Sequence, residues 1–127
     1  MLQLLTKVSI ADNSGVLVGR IIKILTPKNA KIGGLGSLTV ISCKSTIKNS
    51  GILPGTKFKG LIIRTKSKEN CFNYKLKQAD NSVVLVKAAP KNDQYLPVAT
   101  RIKGPVPNKL FRLTGYQKVL ALAKHII

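Results

Sequence analysis

Apolar and polar residues alternate with period two along most of this chain, and glycine-containing turns cut the alternation into short runs. Lys7-Val8-Ser9-Ile10 alternates. It is followed by Ala11-Asp12-Asn13-Ser14-Gly15, where Asp and Asn can close local turns and Gly accepts a positive φ. Val16 to Leu25 is a β-branched run, long for one strand, with Gly19 as a candidate bulge or bend. Thr26 to Gly36 reads as a basic loop. Leu38 to Lys44 reads as a strand whose apolar face switches near Ile41, Gly51 to Gly55 turns the chain, and Phe58 to Arg64 forms another strand. Ser82 to Lys87, rich in Val, has the pattern of a strand buried on both faces. Val8, Ile10, Ile22, Ile24, Val40, Ile62, Val83 and Leu85 are the predicted core. Short strands punctuated by turns predict a mainly β protein built on a small barrel.

The last twenty residues change character. Thr114-x-x-Gln117 has the form of a capping box, and Tyr116, Val119, Leu120 and Ala123 fall on one helical face. A short C-terminal helical segment docked on the barrel is the expectation. The barrel is assigned to about 1–106 and the helical segment to about 107–127, within a single domain.

Charge then changes the picture. The chain has 127 residues, with 22 Lys and Arg against 4 Asp and Glu, a formal net charge of +18, yet 44% of it is hydrophobic. A disordered basic tail would lack that apolar content. A folded domain coated with cations calls for a dense polyanion, and nucleic acid is the natural one. Three Phe, three Tyr and no Trp argue against a free-standing single-strand binder, which needs aromatic platforms. Lys118 and Lys124 alone charge the tail, too few for a membrane-surface helix.

The cations are not evenly spread. Arg64, Lys66 and Lys68 are spaced by two and share a face in an extended strand, and Lys75 and Lys77 repeat the spacing after a polar tip at Ser67 to Asn73. Two returning strands of this kind make a basic ribbon that can lie along phosphates. Phe72 and Tyr74 flank the tip, either to stack on bases or to form a cross-strand pair. Lys28 and Lys31 charge the Gly-rich loop, which is no P-loop because no Gly-Lys-Ser/Thr follows. No arrangement looks catalytic. His125 is two residues from the end, and Asp12, Glu69, Asp80 and Asp93 show no pairing pattern. Cys43 reads as a small core residue, whereas Cys71 lies among lysines that can lower its pKa. The chain is read as no enzyme, with no cofactor and no metal site.

Four blocks resemble the large-subunit ribosomal protein L-fourteen family: Ala11-Asp12-Asn13-Ser14-Gly15, Gly60-Leu61-Ile62-Ile63-Arg64-Thr65-Lys66, Asp80-Asn81-Ser82-Val83-Val84-Leu85 and Thr100-Arg101-Ile102-Lys103-Gly104-Pro105-Val106. Leu120-Ala121-Leu122-Ala123 resembles its final helix. The resemblance implies a closed five-stranded β-barrel with a protruding basic β-ribbon, and a structural constituent of the large ribosomal subunit. The expected RNA contacts are Lys7, Asn13, Ser14, Lys28, Lys31, Lys44, Lys48, Arg64, Lys66, Lys68, Lys75 and Lys77. Thr100, Arg101, Lys103 and Arg112 are the expected protein or subunit interface. The implied partners are large-subunit rRNA and neighbouring ribosomal proteins, with small-subunit rRNA at an intersubunit bridge and a ribosomal silencing factor as further candidates, and no membrane. The family turn begins at Ala11 with no import extension before it, so an organellar, preferably mitochondrial, particle is expected over a plastid or bacterial one.

Overall fold

The computed structural model describes residues 2–26, 31–48, 50–66, 80–89, 94–113 and 115–127, and the backbone alone of 69–71 and 74–76. Its strands are β1 (Leu2–Gln3), β2 (Lys7–Ile10), β3 (Val16–Ile24), β4 (Ile32–Gly33), β5 (Leu38–Thr46), β6 (Lys57–Arg64), β7 (Glu69–Cys71), β8 (Tyr74–Leu76), β9 (Ser82–Ala88), β10 (Tyr95–Pro97) and β11 (Ile102–Val106). A 3-10 turn at Asn108–Arg112, a one-turn helix α1 (Gln117–Leu120) and β12 (Ala123–Ile126) complete the chain. The loop expected from Thr26 to Gly36 thus contains the two-residue β4, paired with β1.

Strands β9, β2, β3, β5 and β6 are hydrogen-bonded in that order, and β6 pairs again with β9 to close a five-stranded barrel. The β2–β9 pair is parallel and its ring neighbours are antiparallel. Closure removes open edges and sends alternate side chains inward. Val8, Ile10, Val16, Ile21, Ile24, Ile41, Cys43, Ile62, Val83 and Leu85 fill the interior with Leu2. Gly60 is needed there: a Cβ would run into Val83 Cγ1 and lie 2.9 Å from Ile41 Cγ1.

A second core lies outside the ring. Leu38, Leu61, Ile63, Val84 and Val86 face outward and are covered by Ile102, Val106, Leu110, Tyr116, Val119 and Leu120. Residues Val83 to Val86 therefore bury alternately into the two cores, as the strand's unbroken apolar run predicts. The switch near Ile41 has the same origin, since Leu38 meets the outer core while Ile41 and Cys43 meet the inner one.

Two core assignments need correction. Ile22 is 39% exposed. Ile21 pairs with Ile41 but Lys23 pairs with Val40, so β3 holds one extra residue at this point. The bulge turns Ile22 and Lys23 outward and returns Ile24 to the interior. The register is also irregular just before Gly19, where a bend was expected. Val40 is half-buried on the outer face, in register with Lys23 and Lys59.

The tail differs in kind from the expectation. Tyr116 is the N-cap of α1, no side chain caps it, and Gln117 Oε1 accepts from the Gly115 N–H at 3.2 Å. The capping box does not form, and Thr114 lies outside the described residues. Tyr116, Val119 and Leu120 are buried as the helical face predicts, but the helix ends at Leu120. Ala123 instead begins β12, which pairs in parallel with β11 through Ile102↔Ala123 and Val106↔Ile126. Pairing with β11 satisfies backbone groups that a frayed final helical turn would leave to water. Tyr95 stacks on Tyr116 with ring centroids 5.2 Å apart, fastening β10 to the tail.

Candidate nucleic-acid and partner interface

The four motif blocks, far apart in sequence, meet at one end of the barrel in a hydrogen-bonded knot. Arg64 is its centre. Its Nε donates to Asp80 Oδ1 at 3.0 Å, Nη2 donates to Ser82 Oγ at 3.0 Å, and Nη1 donates to the carbonyls of Lys103 and Pro105, both at 2.9 Å. Ser82 Oγ donates to Asp80 Oδ2 at 2.8 Å. The intervening Gly104 has φ +81°, and a Cβ there would stand 2.7 Å from Arg64 Nη1. A left-handed residue without a side chain is what lets two carbonyls converge on one guanidinium.

The other blocks are tied in the same way. Asp12 is 3% exposed; its Oδ2 accepts from the Leu85 N–H at 3.0 Å and its Oδ1 from the Ser14 N–H and hydroxyl at 3.1 and 2.6 Å. Asn13 Oδ1 accepts from the N–H groups of Thr100 and Arg101, each at 3.0 Å, while Nδ2 donates to Thr100 Oγ1 at 2.9 Å. Asn81 Oδ1 accepts from the Lys66 N–H at 2.8 Å, and its carbonyl accepts from the Ser9 N–H at 3.0 Å. Burial acts to raise the Asp80 pKa, but hydrogen bonds from Ser82 and Arg64 and the Arg64 charge outweigh it and hold the carboxyl below its usual value. Cys43, fully buried, is pushed up by burial and then by the Asp12 charge, which keeps the thiol protonated and inert.

Arg64 therefore departs from the expectation that it faces RNA. It is 7% exposed and its donors are spent on the protein. Arg64 is the last residue of β6, in register with Ser82 at the barrel rim, and Lys66 lies beyond the end of the strand, so the period-two relation between them does not hold. Asn13 and Ser14 likewise use their polar atoms within the knot, although Asn13 stays exposed. Asp80, for which the sequence offered no partner, pairs with Arg64 at 3.0 Å.

Beyond the knot the ribbon exists as a β7–β8 pair, with Asn70 opposite Lys75 and Cys71 opposite Tyr74. The expected polar tip is thus shorter, since Glu69–Cys71 is strand. Lys66 is exposed at its base. Lys28, Lys68, Phe72, Asn73 and Lys77, and the side chains of Cys71, Tyr74 and Lys75, lie outside the described residues. Lys7, Lys31, Lys44 and Lys48 are exposed.

The expected interface residues Thr100, Arg101, Lys103 and Arg112 are also exposed, while Ile102 and Val106 anchor β11 beneath them. Asn13, Arg101, Ile102, Lys103, Gly104, Lys124 and His125 line a shallow hollow of about 320 Å³ beside the knot. Sequence reading passed over Arg20, Lys23, Lys57 and Lys59. Lys57 and Lys59 carried the same period-two signal as the ribbon; Arg20 and Lys23 carried none, because a bulge separates them. The family model described as Ribosomal protein L14p/L23e matches residues 1–127, the whole chain.

Proposed function

The chain belongs to the ribosomal protein L14p/L23e family, a structural component of the large ribosomal subunit and not an enzyme, and from that premise we propose that it binds large-subunit rRNA and lies near the subunit interface. The observation that carries this reading is the excess of cations, +18 in net charge, on a barrel whose outer core is already covered by its own tail. Such a surface is stable in a particle only when phosphates neutralise it. The RNA contacts are Lys7, Lys31, Lys44, Lys48 and Lys66, with Lys28, Lys68, Lys75 and Lys77 carried over from the sequence. Arg64, Asn13 and Ser14 hold the platform together instead.

The face around the hollow, with Thr100, Arg101 and Lys103 and with Arg112 beyond it, meets a neighbouring protein, small-subunit rRNA or a silencing factor. Barrel and tail act as one unit, a reading supported by their shared outer core. The particle is organellar, mitochondrial by preference, a reading carried over from the sequence.

Sedimentation of a lysate tests the reading. The chain should travel with large-subunit particles of the organelle, and joint Lys→Gln changes at 66, 68, 75 and 77 should shift it toward the top of the gradient. A wild-type chain that stays free of the particles would overturn the proposal. Thr100→Ala and Arg101→Ala should leave assembly intact and weaken subunit joining or partner binding; normal behaviour in both assays removes the interface.

A further inference from the structure

Where the tail does not cover the barrel, the pairing register lines up cations across four strands. Lys7 of β2 pairs with Arg20 of β3, Arg20 with Ser42 of β5, and Ser42 with Lys57 of β6. A second row runs from Lys23 through Val40 to Lys59. Directly paired residues point to the same face. With strands about 4.8 Å apart, the first row spans about 14 Å, and the second lies about 7 Å from it along β5 and β6. Lys7, Lys23, Lys57 and Lys59 are exposed and Arg20 is half-buried. No Asp or Glu occurs in these four strands. The bulge at Ile22 matters here, because strict alternation from the inward Ile21 would point Lys23 into the barrel and break the second row.

We infer that this open face binds double-helical RNA through its phosphates. The inference rests on the reading of the chain as an RNA-bound protein and adds where and in what form that RNA is held. A single strand would need aromatic platforms. Phe58 packs on the interior core, and Tyr95 is already stacked on Tyr116 with the Lys59 ammonium 5.8 Å from its ring centroid. Between the cations stand Ser42 and Val40, which cannot stack on bases. What remains is a rigid array of positive charge, suited to the phosphates bordering the shallow minor groove of A-form RNA.

The test uses the full chain, an RNA duplex and a single strand of equal length, with anisotropy followed over a salt series. Wild type should prefer the duplex. Lys23→Gln/Lys57→Gln/Lys59→Gln should lower the salt slope on the duplex by about three units and abolish the preference, and adding Arg20→Gln should remove about one more. The triple variant changes exposed positions alone, so a far-UV spectrum like that of wild type is expected and keeps the result interpretable if the quadruple variant unfolds. An unchanged slope in the triple variant, while the ribbon variant at 66, 68, 75 and 77 loses slope, overturns this face and leaves the proposed function standing. Unchanged slopes in both overturn both. Equal losses for duplex and single strand overturn the double-helical assignment. Loss of binding to anionic vesicles or to an acidic peptide, with duplex binding intact, assigns the face to another partner and overturns it as well.

Discussion

The outer face of the barrel has two halves that differ in everything except their strands. On β6, Lys57 and Lys59 stand in solvent, while Leu61 and Ile63, on the same face of the same strand, are fully buried. On β5, Leu38 lies under the tail, whereas Val40 and Ser42 are half-buried and Lys44 is exposed. The change occurs where cover by β11, the 3-10 turn and α1 ends. A sheet face is thus apolar or basic according to what lies over it, and one eight-residue strand serves both. One half holds the protein together and the other is free to meet a partner.

The largest effect should come from exchanging equivalent positions across that divide. Leu61→Ala empties a filled site in the outer core and should cost about 2–5 kcal/mol. Lys59→Ala, two residues earlier on the same face, loses a contact with the Tyr95 ring worth about 0.5–1 kcal/mol. Urea denaturation of both variants measures the contrast. Similar losses would mean that the two halves are not distinct.

Next in size is a contrast within the family motif. Arg64 and Lys66 are two residues apart, yet one is the centre of the knot and the other faces solvent. Arg64→Lys replaces a planar fork reaching four partners by a point charge. Breaking one side of a buried pair costs about 3–5 kcal/mol, and the partly exposed Asp80 can rehydrate, so about 2–3 kcal/mol is expected. Lys66→Gln should stay within about 0.5 kcal/mol. In RNA titrations the order should reverse: Lys66→Gln lowers the salt slope by about one unit, whereas Arg64→Gln, which also removes a charge, retains the wild-type slope under conditions where it stays folded. A slope loss in folded Arg64→Gln would return this residue to the RNA surface.

The two halves differ also in how readable they were. Alternation located Lys7–Ile10 as a strand, and the run Val83 to Val86 showed burial on both faces, because side-chain direction in a strand follows local sequence. The bulge at Ile22 was not readable, since one extra residue is defined only against the partner strand, at Ile41 and Val40. Arg64 was misread for a related reason: its acceptors come from residues 16 to 41 positions later. The tail carried a valid helical period at Tyr116, Val119 and Leu120, but pairing with β11 claimed Ala123. The motif blocks identified the family correctly, and many of their polar groups bind one another within the knot. The open face was invisible as a unit, its cations being spread over four strands that only closure brings side by side.

The smallest expected effect concerns the knot at the far end of the covered half, where Asp80 meets Arg64. Asp80 is held below its usual pKa by Ser82 and Arg64 despite some burial. A lowered folded pKa means that its contribution to stability is fully present above the unfolded value of about 3.9 and is lost as pH falls through the lower folded value. With 43% of its side chain exposed, the pair is screened, so the contribution should be a few tenths of a kcal/mol, about what a surface pair gives. Asp80→Asn should therefore be slightly less stable than wild type at neutral pH, and the gap should close below about pH 4. Urea midpoints of the two chains across the acid range measure it. A gap that stays constant down to the lowest pH would mean that Asp80 acts through the shape of its hydrogen bonds rather than through its charge, and the knot would then be neutral in its working parts. A gap that closes, and that added salt also shrinks, assigns the Arg64–Asp80 contact of the knot to electrostatics.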